Sequence, residues 1–409
     1  MKYDLETVKQ LTAQYGSPLY LFREDDFIRN YKDFVRCFSG IYSRYQLSYS
    51  YKTNYTPAIC QIVKKLGGYA EVVSDMEYTV AKRIGYANEN IIYNGPYKGP
   101  LATEHLLNGG ILNIDNLQEI ERVCATAAAY PERRLKVGLR VNINIGQSFI
   151  SRFGIDSDSQ DLDKAVRRLQ EVPNVTLAGL HCHVGQSRTV AAWQNRARIM
   201  LALADRLFET APEYLDLGSG MFAKMEPSLA AQFGNDIPSF ADYARAVAEP
   251  FAAHYAHLPE QQRPILFTEP GTTVINSYID FLGQVDSIKK IKGQQFAVLN
   301  CSKDNIGDIC KMKTLPIEVI PAGNTPVACE NLNMVGYTCL EHDVMYTGFC
   351  GELAVGDYIV FANAGGYSNV SKPPFIAPNC AMIARKDDGS SRLIKKAEEF
   401  DDVFVTYVF

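Results

Sequence analysis

The alternation of strand and helix patterns that indicates the fold begins in residues 46–94, which read QLSYSYKTNYTPAICQIVKKLGGYAEVVSDMEYTVAKRIGYANENIIYN. Short apolar runs in this stretch predict strands, and helical patterns separate them. Strands that alternate with helices form βαβ units with a parallel sheet. The alternation continues along the chain and predicts strands at Gln46–Tyr51, Gly68–Val73, Ile91–Asn94, Leu112–Ile114, Leu135–Ile143, Leu177–His183, Tyr214–Leu217 and Ile265–Phe267. Eight strands in about 240 residues predict an α/β fold with a closed, TIM-like (β/α)8 barrel.

The sequence changes character after Gly271. Apolar and β-branched runs broken by Gly, Pro and Asn predict strands at Val274–Lys289, Phe296–Cys301, Ile317–Pro321, Tyr358–Ala362 and Cys380–Arg385. We expect a C-terminal β-sandwich or β-barrel domain, which a strand at Ser17–Phe22 can join. The predicted domains are therefore a barrel over residues 24–272 and a β domain made of residues 1–23 and 273–409.

Composition excludes several classes of protein. The chain has 409 residues and a net charge of −5, and no long basic run supports nucleic-acid binding. No apolar run reaches the roughly 18 residues that would span a membrane, and the N-terminus lacks the apolar core of a signal peptide. Its ten cysteines form no CxxC pair. We therefore expect reduced thiols and a cytoplasmic location.

A lysine stands at the end of the first predicted barrel strand. Lys52 lies in the run Ser-Tyr-Ser-Tyr-Lys-Thr-Asn. A strand lysine is commonly an edge or surface residue, but at the carboxyl end of a barrel strand it faces the pocket. There its amine can bond covalently to an aldehyde cofactor. Ser74 ends the second strand, at the same side of the barrel.

Glycines and an acid end the last two barrel strands. Gly218, Ser219 and Gly220 follow the seventh strand, where glycine N–H groups can approach a phosphate closely. Glu269 ends the eighth strand, just before Pro270 and Gly271. A carboxylate there can keep a pyridine nitrogen protonated, although a Glu at a turn is equally common. With Lys52, these residues point to pyridoxal 5′-phosphate.

Two histidines flank Cys182 at the end of the sixth strand. Alternate residues on a strand share a face, so His181 and His183 can both point into the pocket. No matching ligand cluster supports zinc, and we expect no metal. A histidine stacked on a cofactor ring is favoured, with a turn at Val184–Ser187 beside the phosphate.

Two polar motifs interrupt the predicted β domain. Cys339 lies in Gly-Tyr-Thr-Cys-Leu-Glu-His-Asp. A buried, structural cysteine is the usual role of such a residue, and the polar neighbours also allow a reactive thiol. Tyr367 follows two glycines in a flexible turn.

Taken in order, these motifs resemble the fold-type III pyridoxal-phosphate decarboxylases. This is the family of diaminopimelate, ornithine and arginine decarboxylases, which is related in its barrel to alanine racemase. The motifs that carry the resemblance are Tyr51–Asn54, Val73–Glu77, Leu139–Asn142, Ser151–Gly154 and Gly179–Gly185.

The resemblance implies a role for each motif. It makes Lys52 the lysine that carries the cofactor, Glu269 the partner of the pyridine nitrogen and His183 the stacking residue. Further cofactor-binding residues implied are Ser74, Arg140, Ser187, Gly218, Ser219, Gly220, Gly271, Thr272 and Tyr367. It also implies a homodimer with shared active sites, in which Cys339 serves the partner's site and protonates the substrate carbon after carbon dioxide leaves. Cys339, Leu340 and Tyr367 would contact the amino-acid substrate.

Two positions depart from the family. Thr272 replaces the arginine that usually follows Glu-Pro-Gly, and Leu340 replaces the glutamate that follows the cysteine in diaminopimelate decarboxylases. Both family residues hold the far end of diaminopimelate, so we expect a larger or less polar amino acid or amino-acid conjugate from biosynthesis. The alternatives are a diaminopimelate or carboxypolyamine decarboxylase proper, an amino-acid racemase, and a pyridoxal-phosphate-binding regulatory homologue without activity.

Overall fold

The structure, a computed structural model, describes residues 3–234, 236–307 and 312–409. Its strands are β1 (Leu19–Arg23), β2 (Tyr45–Ser50), β3 (Tyr69–Val72), β4 (Ile91–Tyr93), β5 (Ile111–Ile114), β6 (Leu135–Asn142), β7 (Ile155–Asp156), β8 (Val175–His181), β9 (Tyr214–Asp216), β10 (Ile265–Thr268), β11 (Ile279–Ile291), β12 (Gln294–Leu299), β13 (Ile317–Ile320), β14 (Val327–Val335), β15 (Val344–Leu353), β16 (Tyr358–Phe361), β17 (Ala381–Arg385) and β18 (Ser391–Lys395).

The helices are α1 (Leu5–Tyr15), α2 (Glu24–Ser39), α3 (Pro57–Lys65), α4 (Asp75–Ile84), α5 (Leu101–Leu107), α6 (Leu117–Ala129), α7 (Gln160–Gln170), α8 (Val190–Leu207), α9 (Pro227–Ala230), α10 (Phe240–His254), α11 (Thr272–Ile275) and α12 (Phe400–Phe404). In the described part of the chain, no helix combines the length and apolar character needed to cross a membrane.

The chain divides into two compact units. One contains Asn30–Phe222 and Ile237–Thr273, and the other contains the described residues of Met1–Arg29, Ala223–Asp236 and Val274–Phe409. The domain limits predicted from the sequence stay a prediction.

The first unit is a closed parallel barrel. Its eight strands pair in the order β2-β3-β4-β5-β6-β8-β9-β10, and β10 returns to β2 through Leu266 opposite Tyr45. Each strand lies within two residues of its predicted position. The predicted fold class is confirmed, because apolar strands separated by amphipathic helices bury both faces of a parallel sheet.

Large and small side chains fill the barrel interior together. Tyr214 is buried and donates a hydrogen bond from its hydroxyl to Asn113 Oδ1 at 2.6 Å. A Cβ atom at Gly138 would lie 2.0 Å from the Tyr214 hydroxyl. Glycine at this position therefore makes room for the tyrosine inside the barrel.

The second unit is built on a mixed sheet. Its main strand order is β15-β14-β12-β11-β1-β17-β18, and β16 pairs with both β11 and β13. The N-terminal strand β1 lies antiparallel to β11 and parallel to β17, so the expected joining of the N-terminal strand is confirmed. Buried side chains from α1, β1, β11 and β17 form one apolar core in this unit.

Two details of the β region were predicted wrongly. The strand expected from Val274 begins only at Ile279, because a short helix and a turn come first. Strands β14, β15 and β18 were not predicted, since exposed polar residues, and glycines in β15, break their apolar pattern.

Candidate active site

The carboxyl ends of the barrel strands bring the polar residues to one end of the first unit. Lys52 lies in a single 3-10 turn that follows β2, and Glu71 is on β3. His181 ends β8, and Glu269 follows β10. Parallel strands in a closed barrel all end on the same side, so these side chains can meet although they are far apart in sequence.

Glu269 is a buried carboxylate with three polar neighbours. Its side chain is 1% exposed. Asn94 Nδ2 donates to Oε1 at 2.5 Å, while His181 Nε2 and His183 Nδ1 lie 3.4 and 3.7 Å from Oε2. Burial raises the pKa of Glu269, but the two histidines and Lys52 outweigh it and hold the pKa well below its ordinary value. Glu269 is therefore charged at neutral pH.

Both histidines beside Glu269 have pKa values below the ordinary value for histidine. Burial is the largest influence on both rings. It lowers the pKa of His181, and it lowers the pKa of His183 to about 4. His181 is fully enclosed, whereas the side chain of His183 keeps 27% of its surface exposed. Ser219 N donates to His183 Nδ1 at 3.3 Å, which fixes this ring against the glycine turn.

Lys52 pairs with an acid that the sequence analysis missed. Its Nζ lies 2.5 Å from Glu71 Oε2, and the lysine side chain is 30% exposed. Asn94 Nδ2 also donates to Glu71 Oε1 at 3.2 Å. Asn113 Nδ2 in turn donates to Asn94 Oδ1 at 2.8 Å. Asn94 thus links Glu71, the acid that pairs with Lys52, to Glu269. Two features of the sequence could have indicated these residues: Glu71 is a charged residue within an apolar strand, and Asn94 directly follows a strand.

Asp216 is a second buried acid next to Glu269. Its Oδ1 accepts from Gly218 N at 2.9 Å, and within the described chain Oδ2 has no hydrogen-bond partner. Burial and the charge of Glu269 raise the pKa of Asp216 well above its ordinary value, which favours its protonated form. Ligand atoms of His181, Asp216 and Glu269 lie within 4.8 Å of one another. That spacing would admit a cation. The raised pKa of Asp216 fits a proton held among these groups better than it fits a metal ion.

The glycine turn after β9 approaches the neighbouring strand end closely. Gly218 and Gly220 have φ values of +60° and +113°. A Cβ atom at Gly218 would lie 2.5 Å from Cys182 O, and one at Gly220 would lie 2.6 Å from Val184 O. Only glycine fits this path, which leaves a cradle of backbone next to Glu269 and His183.

The other predicted residues have local partners. Ser74 caps α4 by accepting from Glu77 N at 3.2 Å. Arg140 Nη1 lies 3.2 Å from Asp115 Oδ1. Gly271 is packed so tightly that a Cβ atom would lie 2.0 Å from Thr53 Oγ1, Thr272 begins α11, and Ser187 lies in the loop before α8.

Three predicted residues belong to the second unit. Cys339 is exposed, and Leu340 and Tyr367 are partly buried. Tyr367 has a φ of +53°. The nine cysteines among the described residues are all free thiols. The roles of these three residues stay predictions.

The barrel also matches a protein family. A family model described as "Pyridoxal-dependent decarboxylase, pyridoxal binding domain" matches residues 24–276, more than half of the chain. The chain belongs to the pyridoxal-dependent decarboxylases. The predicted family, cofactor and enzyme class are confirmed: this protein is a pyridoxal-phosphate-dependent amino-acid decarboxylase.

Relatives of this decarboxylase extend over nearly its whole length. It is 22% identical to "Diaminopimelate decarboxylase" of Aquifex aeolicus, with 97% of this chain and 92% of the relative covered. It is 26% identical to "Probable diaminopimelate decarboxylase, chloroplastic" of Oryza sativa, with 94% and 78% covered.

Solved structures share the fold of this decarboxylase. Diaminopimelate decarboxylase from M. jannaschii superposes with a TM-score of 0.83 at 23% identity, covering 98% of this chain and 94% of that one. Lysine decarboxylase from Selenomonas ruminantium gives a TM-score of 0.79 at 21% identity, covering 95% and 97%.

The residues of this decarboxylase's barrel fit the cofactor. Lys52 presents a partly exposed amine, Glu269 a buried negative charge, and Gly218 and Gly220 a backbone cradle that a side chain would fill. These are an amine for the aldehyde, an acid for the ring nitrogen and N–H donors for the phosphate.

Proposed function

We propose that this enzyme decarboxylates an α-amino acid, or an amino-acid conjugate, whose far end carries no carboxylate. The charged, buried Glu269 is the observation that carries the decarboxylase chemistry. Thr272 and Leu340 carry the substrate assignment, because neither side chain is charged and neither can form an ion pair with the substrate. A charged substrate end buried without a partner is strongly disfavoured, whereas a neutral end is not.

Glu269 would act on the ring nitrogen of the cofactor. When bound, pyridoxal phosphate withdraws electrons from the substrate's α-carbon. A carboxylate that stays charged would keep a proton on the nitrogen opposite it, and the contacts of Glu269 with Asn94 and His181 favour its charged form. His183, whose ring is still partly exposed, would stack on the cofactor.

Lys52 would hold the cofactor's aldehyde carbon until the substrate amine replaces it. Its pairing with Glu71 at 2.5 Å fixes the amine at the open end of the barrel and gives it a proton acceptor. Arg140, Ser74, Ser187, Gly271, Thr272 and Tyr367 complete the cofactor site that we propose.

Cys339 would supply the last proton. Carbon dioxide leaves without the electrons of the broken C–C bond, and the α-carbon then takes one proton. The thiol of Cys339 is exposed in the described chain, so it is available to a second copy. We propose a homodimer in which each Cys339 serves the partner's site.

The substrate proposal is tested by comparing kcat/KM of the holoenzyme for meso-diaminopimelate, lysine, ornithine, arginine and larger amino-acid conjugates. We expect diaminopimelate to be at least about tenfold poorer than the best substrate, which is about 1.4 kcal/mol of transition-state binding. Thr272→Arg should improve diaminopimelate selectively, and Thr272→Val is the matched control.

A clear preference of the wild-type enzyme for diaminopimelate would contradict the proposal. Another cation, such as Arg152 or Lys303, would then hold the far carboxylate. The relatives named diaminopimelate decarboxylase favour that second candidate.

A further inference from the structure

A fully buried arginine lies behind the two glycine loops. Arg196 on α8 is 0% exposed, and within the described chain it forms no ion pair with a carboxylate. Its Nη1 donates to Leu217 O and Ser219 O at 2.8 and 2.9 Å, and its Nη2 donates to Val184 O at 2.7 Å. The centroid of the Trp193 ring lies 4.0 Å from Arg196 Cζ.

The charge of Arg196 is incompletely compensated. Its Nε has no acceptor in the described chain. Burial lowers the pKa of Arg196 to about 10, so the guanidinium remains protonated at neutral pH. Its hydrogen bonds reach only neutral carbonyls, and the charged Glu269 acts on it without direct contact, so a further anion nearby would stabilise it.

The contacts of Arg196 fix the direction of the loop peptides. In a trans peptide, the carbonyl of one residue and the N–H of the next point in opposite directions. Since Val184 O and Ser219 O face the guanidinium, the N–H groups of Gly185 and Gly220 face away from it. Neither N–H has an acceptor among the described residues, and both glycines are partly exposed.

The two loops lie against each other at this point. A Cβ atom at Gly220 would lie 2.6 Å from Val184 O and 3.2 Å from Gly185 Cα. The loops therefore present two unpaired N–H donors on one side, while a buried positive charge lies on the other. This arrangement binds an anion and is balanced by one.

We propose that Arg196 is a positioning residue that aims the N–H groups of Gly185 and Gly220 at the phosphate of pyridoxal phosphate, and that this phosphate balances its charge across the loops. The inference rests on the proposed function, which places the phosphate at these glycines. Arg196 touches neither cofactor nor substrate and acts through the peptides.

The test compares pyridoxal phosphate with pyridoxal, which has the same ring and aldehyde but no phosphate. Dissociation constants for both are measured by calorimetry on the apoprotein. Arg196→Met should weaken binding of pyridoxal phosphate by about 10- to 100-fold, the range of a lost charge-assisted interaction, and leave pyridoxal nearly unchanged. Arg196→Lys, which keeps the charge but not the three bonds, should lie between the two.

Arg206→Met is the matched control, because Arg206 lies on the same helix and donates to Ser157 O at 3.0 Å. It should leave both affinities unchanged. If Arg196→Met weakens both ligands equally, or neither, the inference is overturned. If the wild-type protein binds both ligands equally well, the phosphate site of the proposed function is wrong instead.

A measurement on the wild-type holoenzyme does not depend on how the variants fold. The second pKa of a free phosphate monoester is about 6, and a cation behind the cradle should keep the bound group dianionic below it. The ³¹P chemical shift of bound cofactor should therefore stay constant between about pH 8 and 5. A shift that titrates like that of free cofactor would contradict the assignment.

Discussion

Two buried carboxylates in the barrel hold opposite proton states. Burial raises the pKa of Glu269, but His181, His183 and Lys52 outweigh it and lower the pKa. Burial and the charge of Glu269 raise the pKa of Asp216, and the N–H of Gly218 offsets them only in part. Neighbouring acids whose pKa values are pushed apart are typical of sites that move or hold protons.

We predict that Lys52 is the residue that bonds to the cofactor. Borohydride reduction of the purified holoenzyme should fix pyridoxal phosphate to the peptide that contains Lys52, and Lys52→Ala should abolish the visible absorbance. Lys64→Ala, a control at an exposed lysine, should retain it. A label on any other lysine would rule out the assignment.

Glu269→Gln should separate binding from chemistry. The amide keeps the shape of the side chain but cannot carry the charge that stabilises a protonated ring nitrogen. We expect the cofactor to stay bound while kcat falls by about 10²- to 10³-fold. Absorbance gives cofactor content and carbon dioxide release gives turnover, with exposed Glu121→Gln as control. Near-normal turnover would mean that the nitrogen has another partner.

At the scale of elements, helix α5 is held to the barrel around a buried histidine. His105 is 0% exposed, and its Nε2 bonds to Ile111 O at 3.0 Å. Its ring packs edge-on against Tyr78, and Gly110 leaves the space that the ring occupies. Burial lowers the pKa of His105 from 6.5 to about 4, so the folded chain holds it neutral.

This histidine should make stability depend on acid pH. Below pH 6.5 the unfolded chain binds a proton that the folded chain excludes down to about pH 4, so the free energy of unfolding should fall as the pH falls through that window. The full loss is roughly 3 kcal/mol. Denaturant unfolding of His105→Phe at several pH values should show a smaller loss, and exposed His257→Gln should behave like wild type. An unchanged loss in the His105 variant would contradict the prediction.

At the scale of the whole molecule, the proposed chemistry draws on both units of the chain. Lys52, His183 and Glu269 belong to the barrel unit, whereas Cys339 and Tyr367 belong to the β unit. The thiol of Cys339 is exposed, and its proposed role requires that a cofactor site lie within reach of it. The head-to-tail homodimer with shared sites that we propose would supply one.

Mixing inactive subunits tests that homodimer. Lys52→Ala and Cys339→Ala proteins, each inactive, should regain part of the activity after subunit exchange, because one of the two hybrid sites carries both native residues. Lys52→Ala mixed with the double variant should regain none, and Cys350→Ala, at another exposed cysteine, should stay active. No recovery after confirmed exchange would place Cys339 outside the partner's chemistry.

The barrel and the ends of its strands could be predicted from the amino-acid sequence. Apolar strands and amphipathic helices are local patterns, and Lys52, His183 and Glu269 are visible because each follows such a strand. The tertiary structure alone decided which groups share protons and charge. Asn94 reaches Glu269 across 175 positions, and Arg196 meets two separate loops at once. Such contacts depend on barrel closure and burial, which no local pattern of residues encodes.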